Sequence, residues 1–123
     1  MNHQKVFKKV AKHLNKQGHP AKDKHGSCVY KTNGDMCAIG CLIEDGKYRQ
    51  KMDNDRWSIG NLIQKGVLPT ECRGELSFLE DLQHAHDDTD PNEWRTLKET
   101  FKLFAEKWNL DAKFLKNLKF KPH

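Results

Sequence analysis

The sequence predicts a mainly helical α+β fold, a compact single domain of about five helices with one small β-hairpin. Three observations predict it. Apolar residues recur at three- and four-residue steps in several segments, one Asn-Gly pair is flanked by strand-forming residues, and 123 residues suffice for one hydrophobic core but not two. We divide the domain into a basic amphipathic helix (1–17), a hairpin (28–39), a helical region (40–118) and a tail (119–123).

The first helix is predicted from Asn2 to Gln17. Val6, Val10 and Leu14 recur at four-residue steps, and this spacing places them on one face of an α-helix. Gly18 is a natural end for the helix, because glycine readily adopts the left-handed conformation found there. Five lysines occupy the remaining faces: Lys5, Lys8, Lys9, Lys12 and Lys16.

The clearest strand signal surrounds Asn33-Gly34. Both residues tolerate the positive φ values of a type I′ turn, which joins two antiparallel strands. Strand side chains alternate between faces, so every second pair projects from the same side of the ribbon. The pairs that this register predicts are Thr32 with Asp35, Tyr30 with Cys37, and Cys28 with Ile39.

The region after the hairpin is predicted to be helical. Small apolar residues over 37–43 indicate a short buried helix, in which Gly40 marks the close approach of another backbone segment. Ser58 is expected to cap a helix over 59–65. A further helix over 74–86 has an apolar stripe that ends at His86.

The strongest helix-start signal is Asp90-Pro91-Asn92-Glu93. It combines an N-cap aspartate, a first-position proline and a glutamate that can reach back to the cap. A long amphipathic helix over 94–108 should follow and form the main wall of the core. A last short helix is expected over 111–118, and residues 119–123 are expected to fray.

The positive charge is concentrated at the two ends of the chain. Residues 1–24 carry a net charge of +6 and residues 110–123 carry +3, whereas the 85 residues between them carry −4. Such lysines either form a solvated surface or bind an anionic partner. Lysine suits phosphates better than base edges, so nucleic acid would be contacted through its backbone. The candidate binding residues are Lys5, Lys8, Lys9, Lys12, Lys16, Lys113, Lys116 and Lys119.

The four cysteines leave several interpretations open. The first residues lack the apolar core of a signal peptide, which argues against a disulfide framework. Buried cysteines commonly pack as small hydrophobic residues. Alternatively, the chain could use zinc as a cofactor, although it has no C-x-x-C pair. The ligands of that zinc site would be Cys28, Cys37, Cys41 and His86.

A reactive thiol is a further alternative. Cys37 or Cys41 could act as a nucleophile near a helix start, with His84 or His86 as the base and Asp87 orienting it. The sequence contains no P-loop, no G-x-G-x-x-G, no H-E-x-x-H and no G-x-S-x-G. The absence of these motifs lowers the expectation of an enzyme, and no catalytic residue is assigned.

Two short motifs resemble those of uncharacterised small proteins from phages and bacterial genomes. One is C-A-I-G-C-L-I at 37–43, which follows the hairpin and precedes Tyr48. The other is L-Q-H-A-H-D at 82–87, which precedes Trp94. The resemblance implies a genomic setting, but it supplies no activity or mechanism for this chain. It also implies that one structural unit contains Cys37, Gly40, Cys41, His86 and Asp87.

Together these features predict a small binding module. No apolar run approaches the roughly 20 residues of a membrane span, so a cytoplasmic location is expected, in the host if a phage encodes the chain. We expect a phage-type accessory or host-directed protein that binds another protein. Nucleic acid, contacted through its backbone, is the second candidate partner. A Cys37/His86 thiol enzyme and a zinc-stabilised module are the alternatives.

Overall fold

The computed structural model describes residues 1–87, 89 and 91–122, and at 91 and 92 only the backbone is considered. Within this part of the chain there are five α-helices, four 3₁₀ helices and one two-stranded antiparallel hairpin, which confirms the predicted fold class. The α-helices are α1 (His3–Gln17), α2 (Gln50–Asn54), α3 (Ile59–Gln64), α4 (Leu76–Asp87) and α5 (Leu97–Trp108).

Helix α1 begins and ends where local signals place its caps. The Asn2 side chain accepts a hydrogen bond from the Lys5 N–H at 3.0 Å. At the other end Gly18 adopts a left-handed conformation with φ of 76°, and its N–H donates to the Leu14 carbonyl at 3.0 Å. Five apolar residues of α1 are buried: Val6, Phe7, Val10, Ala11 and Leu14.

The hairpin consists of β1 (Lys31–Thr32) and β2 (Asp35–Met36). Asn33 and Gly34 both have positive φ, at 46° and 88°, as a type I′ turn requires. Thr32 pairs with Asp35 as predicted. One further backbone hydrogen bond, from the N–H of residue 37 to the carbonyl of residue 30 at 3.0 Å, extends the ribbon beyond its strands.

The hairpin ends earlier than predicted. The pairing of Cys28 with Ile39 is wrong, because Cys28 instead forms an isolated antiparallel bridge with Lys22. On the other strand the chain turns into a 3₁₀ helix at Gly40–Leu42, which removes residue 39 from the ribbon. The predicted ribbon of 28–39 therefore contracts to the residues around the turn.

Gly40 lies where another backbone segment passes, as the sequence predicts. A Cβ built on this residue would be 2.0 Å from the Tyr30 carbonyl oxygen. No side chain fits in that space, so only glycine allows the 3₁₀ helix to pack against the start of the hairpin.

Helix α3 is capped as predicted, and the entry to α5 differs. Ser58 forms a capping box with Asn61, in which the Asn61 N–H donates to the Ser58 hydroxyl at 3.1 Å. The predicted cap Asp90 lies outside the described residues. Residues Pro91–Thr96 form a 3₁₀ helix with a non-helical Glu93 (φ −122°, ψ 47°), so α5 begins only at Leu97.

The core centres on aromatic rings that α1 shares with the later helices. Phe7 is fully buried, and its ring centroid lies 5.8 Å from Phe101, 5.4 Å from Phe104 and 5.4 Å from Phe114. The last 3₁₀ helix, Lys113–Asn117, carries Phe114 to this cluster.

The expected fraying of residues 119–123 is wrong for Phe120, whose side chain is 0% exposed. Its ring centroid lies 6.0 Å from that of Phe101, and its N–H donates to the Asn15 side-chain oxygen at 2.8 Å. Burial of a phenylalanine ring stabilises a fold by about 1.5–3 kcal/mol, which is enough to hold this part of the tail in place.

Candidate functional site

The fold places the two basic ends of the chain side by side. The Gln4 side chain donates to the Asp111 carbonyl at 2.8 Å and accepts from the Asp111 N–H at 2.7 Å. One turn further along α1, the rings of Phe7 and Phe114 are in contact. At the end of α1, Asn15 binds the backbone of residue 120. The C-terminal segment 111–120 thus runs along α1 in the same direction.

The lysines of α1 form one stripe opposite its buried side. With about 3.6 residues per turn, all five fall within an arc of about 100°. The apolar residues of the helix are centred on the opposite side, against the core. These five lysines are all exposed: Lys5, Lys8, Lys9, Lys12 and Lys16.

The C-terminal lysines join this stripe. Lys113 and Lys116 lie three residues apart in the last 3₁₀ helix, where such residues share a side, and Lys119 follows just after the helix ends. All three are exposed. Lys8 crosses between the two segments, with its Nζ 5.7 Å from the ring centroid of Phe114. We call the eight lysines of α1 and the C-terminal segment the basic face.

The charge of the basic face is not neutralised by the carboxylates that the structure describes. The described lysine ion pairs lie elsewhere, for example Lys51 with Asp55 at 3.2 Å and Lys107 with Asp81 at 2.7 Å. Among residues 1–87, 89 and 91–122, no lysine of the basic face takes part in such a pair. The face therefore attracts anions.

The environment of the candidate thiols keeps them protonated. Cys37 is 2% exposed, its Sγ accepts a hydrogen bond from the Gly40 N–H at 3.2 Å, and burial raises its pKa to about 12. Cys41 donates its S–H to the Ala38 carbonyl at 3.1 Å, and burial raises its pKa to about 11. A thiol nucleophile requires a lowered pKa, so these environments do not favour catalysis.

His86 is buried among core residues at the end of α4. Its side chain is 3% exposed, and its ring stands edge-on to that of Trp94 with centroids 5.9 Å apart. His86 Nδ1 lies 3.1 Å from Asp87 Oδ1, and its Nε2 has no hydrogen-bond partner among the described groups. No described hydrogen bond joins this ring to a cysteine.

Gln83 connects the two short motifs through hydrogen bonds. Its side-chain oxygen accepts from the Ile39 N–H at 3.1 Å, and its nitrogen donates to Asp87 Oδ1 at 3.1 Å. The C-A-I-G-C-L-I and L-Q-H-A-H-D segments therefore contact each other, and this contact fixes the orientation of Asp87 beside His86. Sequence reasoning did not single out this glutamine.

The four proposed zinc ligands occupy different environments. Cys28 is exposed at its bridge with Lys22, whereas Cys37 and His86 are buried. In the part of the chain that the structure describes, no group of three or more His, Cys, Asp or Glu side chains is placed to hold a metal ion. The zinc-stabilised module stays a prediction without a described ligand cluster.

Two further cations lie outside the list of candidate binding residues, and only Arg95 was missed altogether by sequence reasoning. Arg95 and Lys121 line a cleft together with Lys119 and Pro122. The pattern Lys119-Phe120-Lys121 could have indicated the cleft, because an apolar residue between two lysines suggests a buried side chain flanked by two exposed cations. The expectation of a frayed tail hides this signal.

No protein-family model, curated protein or solved structure matches this chain. Among the described helices, none combines the length and apolar character needed to cross a membrane. The functional interpretation consequently depends on the geometry and charge of the basic face.

Proposed function

We propose that the protein is a small binding module that contacts an anionic macromolecule through the basic face. One observation supports this function above all. Helix α1 and the C-terminal segment, from opposite ends of the sequence, lie side by side, and both carry exposed lysines.

The side chains of the basic face suit a partner that carries many negative charges close together. Its eight cationic side chains are all lysine, which acts as a compact point charge and lacks the planar fork of arginine. Such a surface suits phosphates or carboxylates better than base edges. An acidic protein surface and a nucleic acid backbone both satisfy this requirement.

The biological setting belongs to the same proposal. The two motifs that resemble those of phage and bacterial proteins support a phage-type accessory or host-directed role in the cytoplasm. The thiol-enzyme alternative gains no support from the protonated Cys37. The zinc alternative gains none either, because among the described residues no group of three or more His, Cys, Asp or Glu side chains is placed to hold a metal ion.

The proposed function is tested by binding of the full chain to fluorescently labelled random-sequence duplex DNA and to polyglutamate, measured by fluorescence anisotropy. We expect binding to at least one polyanion. If 6–10 phosphates are contacted, DNA affinity should fall by about 10³–10⁵ between 50 and 200 mM salt.

A matched pair of variants identifies the surface. Lys9→Glu with Lys12→Glu should abolish binding, because it reverses the centre of the basic face. Lys51→Glu with Lys65→Glu changes the net charge equally at exposed positions that are not part of the basic face and should bind almost as wild type does. Absence of binding to both polyanions at low salt, or equal losses of affinity in the two variants, would contradict the proposed function.

A further inference from the structure

A cationic cleft lies beside the tail of the chain. It has a volume of about 410 Å³ and is lined by Arg95, Lys119, Lys121 and Pro122. Three of these four described lining residues are cations, and none of the four is a carboxylate. Clefts of this size fall within the range that accepts small ligands or parts of larger ones.

The tail side of the cleft is fixed by Phe120. This residue is fully buried, and its backbone has a φ of 49°, in the left-handed region that phenylalanine rarely adopts. Its N–H is held by the Asn15 side chain at 2.8 Å. Because the residue between them is anchored, Lys119 and Lys121 are both presented to the same cleft.

The part of the cleft that Arg95 lines is fixed by the segment that precedes α5. Arg95 is exposed, while its neighbour Trp94 is 1% exposed and donates from Nε1 to the Leu14 carbonyl at 3.3 Å. Leu14 and Asn15 lie in the last turn of α1, so both sides of the cleft are attached to the same end of that helix. The cleft therefore continues the basic face, with which it shares Lys119.

We propose that this cleft binds one phosphate of a nucleic acid backbone that runs along the basic face. The inference rests on the proposed function and names the partner of the same surface. Arg95 would grip two phosphate oxygens through parallel N–H groups, and the two lysines would supply further positive charge.

The spacing of the basic face favours a nucleic acid over an acidic protein. Lys5, Lys9, Lys12 and Lys16 follow one another at three- and four-residue steps, which gives about 5–6 Å between neighbouring Cβ atoms. The row covers about 16 Å of α1 and leads towards the cleft. A regular row of cations with an arginine at its end matches a polymer with regularly repeating charge.

Two titrations of the full chain test the inference. In the first, inorganic phosphate is added and backbone amide shifts are followed by NMR. We expect saturable shifts at Arg95, Lys119 and Lys121 that disappear in Arg95→Ala. They should remain in Arg73→Ala, which removes an exposed arginine outside the cleft.

The second titration uses the labelled random-sequence duplex. Removal of one phosphate contact by Arg95→Ala should weaken binding several-fold and lower the slope of log affinity against log salt by about 1. Arg95→Lys keeps the charge without the fork, so it should restore part of the affinity. Arg73→Ala should bind as wild type does.

The outcomes separate this inference from the proposed function. If phosphate causes no shift at the cleft, or Arg95→Ala binds DNA with wild-type affinity and salt slope, the cleft assignment is wrong while the basic face stands. If wild type binds polyglutamate but not DNA, the nucleic acid partner is wrong and the proposed function survives. If it binds neither, both fail.

Discussion

The sulfur of Cys37 lies in a closed and apolar environment. It accepts a hydrogen bond from the Gly40 N–H, and burial raises the pKa of the thiol to about 12 from an ordinary value of 9.0. Cys72 is also 2% exposed, with a pKa raised by burial to about 11. Cys28, in contrast, is exposed. The four cysteines therefore differ in solvent exposure, with Cys28 exposed and the other three buried or partly buried.

Thiol reactivity follows from these environments. In the native protein we expect Ellman's reagent to modify Cys28 first, with the other three thiols reacting much more slowly, because a buried protonated thiol is a poor nucleophile. Cys28→Ser should remove the fast phase, and denaturant should expose every remaining thiol. A fast thiol that persists in Cys28→Ser and disappears in Cys37→Ser would support the thiol-enzyme alternative instead.

Gly40 is the position where a single added methyl group does most harm. A Cβ there would lie 2.0 Å from the Tyr30 carbonyl oxygen, a backbone atom that cannot rotate away. Gly40→Ala should lower the free energy of unfolding by about 1–3 kcal/mol or more. Urea denaturation followed by circular dichroism measures this change.

Gly60 provides the matched control. Its Cβ would lie 3.7 Å from Ser58 Oγ, an ordinary contact, and the residue is inside α3. Gly60→Ala should raise the free energy of unfolding by about 0.5–1 kcal/mol, since alanine favours helix. Equal effects of the two substitutions would mean that the 3₁₀ helix does not pack against Tyr30 as described.

At the scale of elements, the C-terminal segment is a part of the core. Phe120 lies between two exposed lysines and is itself 0% exposed. Phe120→Ala should lower the free energy of unfolding by about 3–5 kcal/mol, because it leaves a cavity against Phe101.

The control for that substitution is Lys121→Ala, at an exposed position one residue further on. It should change stability by less than about 0.5 kcal/mol. Both are measured by urea denaturation. If Phe120→Ala is as stable as Lys121→Ala, the tail frays in solution and the side of the cleft that it forms is not fixed.

Local signals predicted the elements that local chemistry determines. The end of α1 at Gly18, the capped start of α3 at Ser58 and the Asn33-Gly34 turn depend on a few adjacent residues, and each is present in the structure. These features need no knowledge of the rest of the chain, because the capping and turn residues satisfy or orient their own neighbouring backbone.

The errors concern residues that depend on distant partners. Cys28 pairs with Lys22 and is not part of the hairpin, although the residues between Cys28 and the turn favour a longer strand. Phe120 lies among lysines and is buried only because Asn15 and Phe101 meet it from elsewhere in the chain. The same holds for the site: the lysines could be named, but only the tertiary contacts place Arg95 beside the tail.

For the whole molecule, the buried cysteine thiols make the free energy of unfolding depend on pH in the alkaline range. Burial raises the pKa of Cys37 to about 12 and the pKa values of Cys41 and Cys72 to about 11, from 9.0. The unfolded chain therefore loses these protons at lower pH than the folded chain does. Stability from this source is complete below pH 9.0 and is lost as the pH rises towards the folded values.

We expect the free energy of unfolding to decline from pH 9.0 upward, with each thiol contributing at most about 1.4 kcal/mol per pH unit. Urea titrations at successive pH values measure the decline. Cys37→Ala, although less stable at neutral pH, should show a shallower decline, since one of the coupled protons is absent. A flat profile up to pH 11 would show that the thiols are not buried in the folded protein.

The central claim at this scale is that the two basic ends act as one surface. The chain has a net charge of +5, yet its middle is net acidic, so the attraction for an anion depends on where the ends lie. If they form one face, a polyanion must contact lysines of both. If the C-terminal lysines lie apart from those of α1, a polyanion bound to α1 would not contact them. Neutralising the C-terminal lysines would then leave the binding unchanged.

The most direct test is the salt slope of DNA binding in three charge-neutralised variants. One replaces Lys5, Lys9 and Lys12 by glutamine, the second Lys113, Lys116 and Lys119, and the control Lys47, Lys51 and Lys65. We predict that the first two each lower the slope of log affinity against log salt by about 0.9 for every phosphate that the variant no longer neutralises, and that the control leaves the slope nearly unchanged. A C-terminal variant with the wild-type slope, or a control with an equal reduction, would contradict a single basic face.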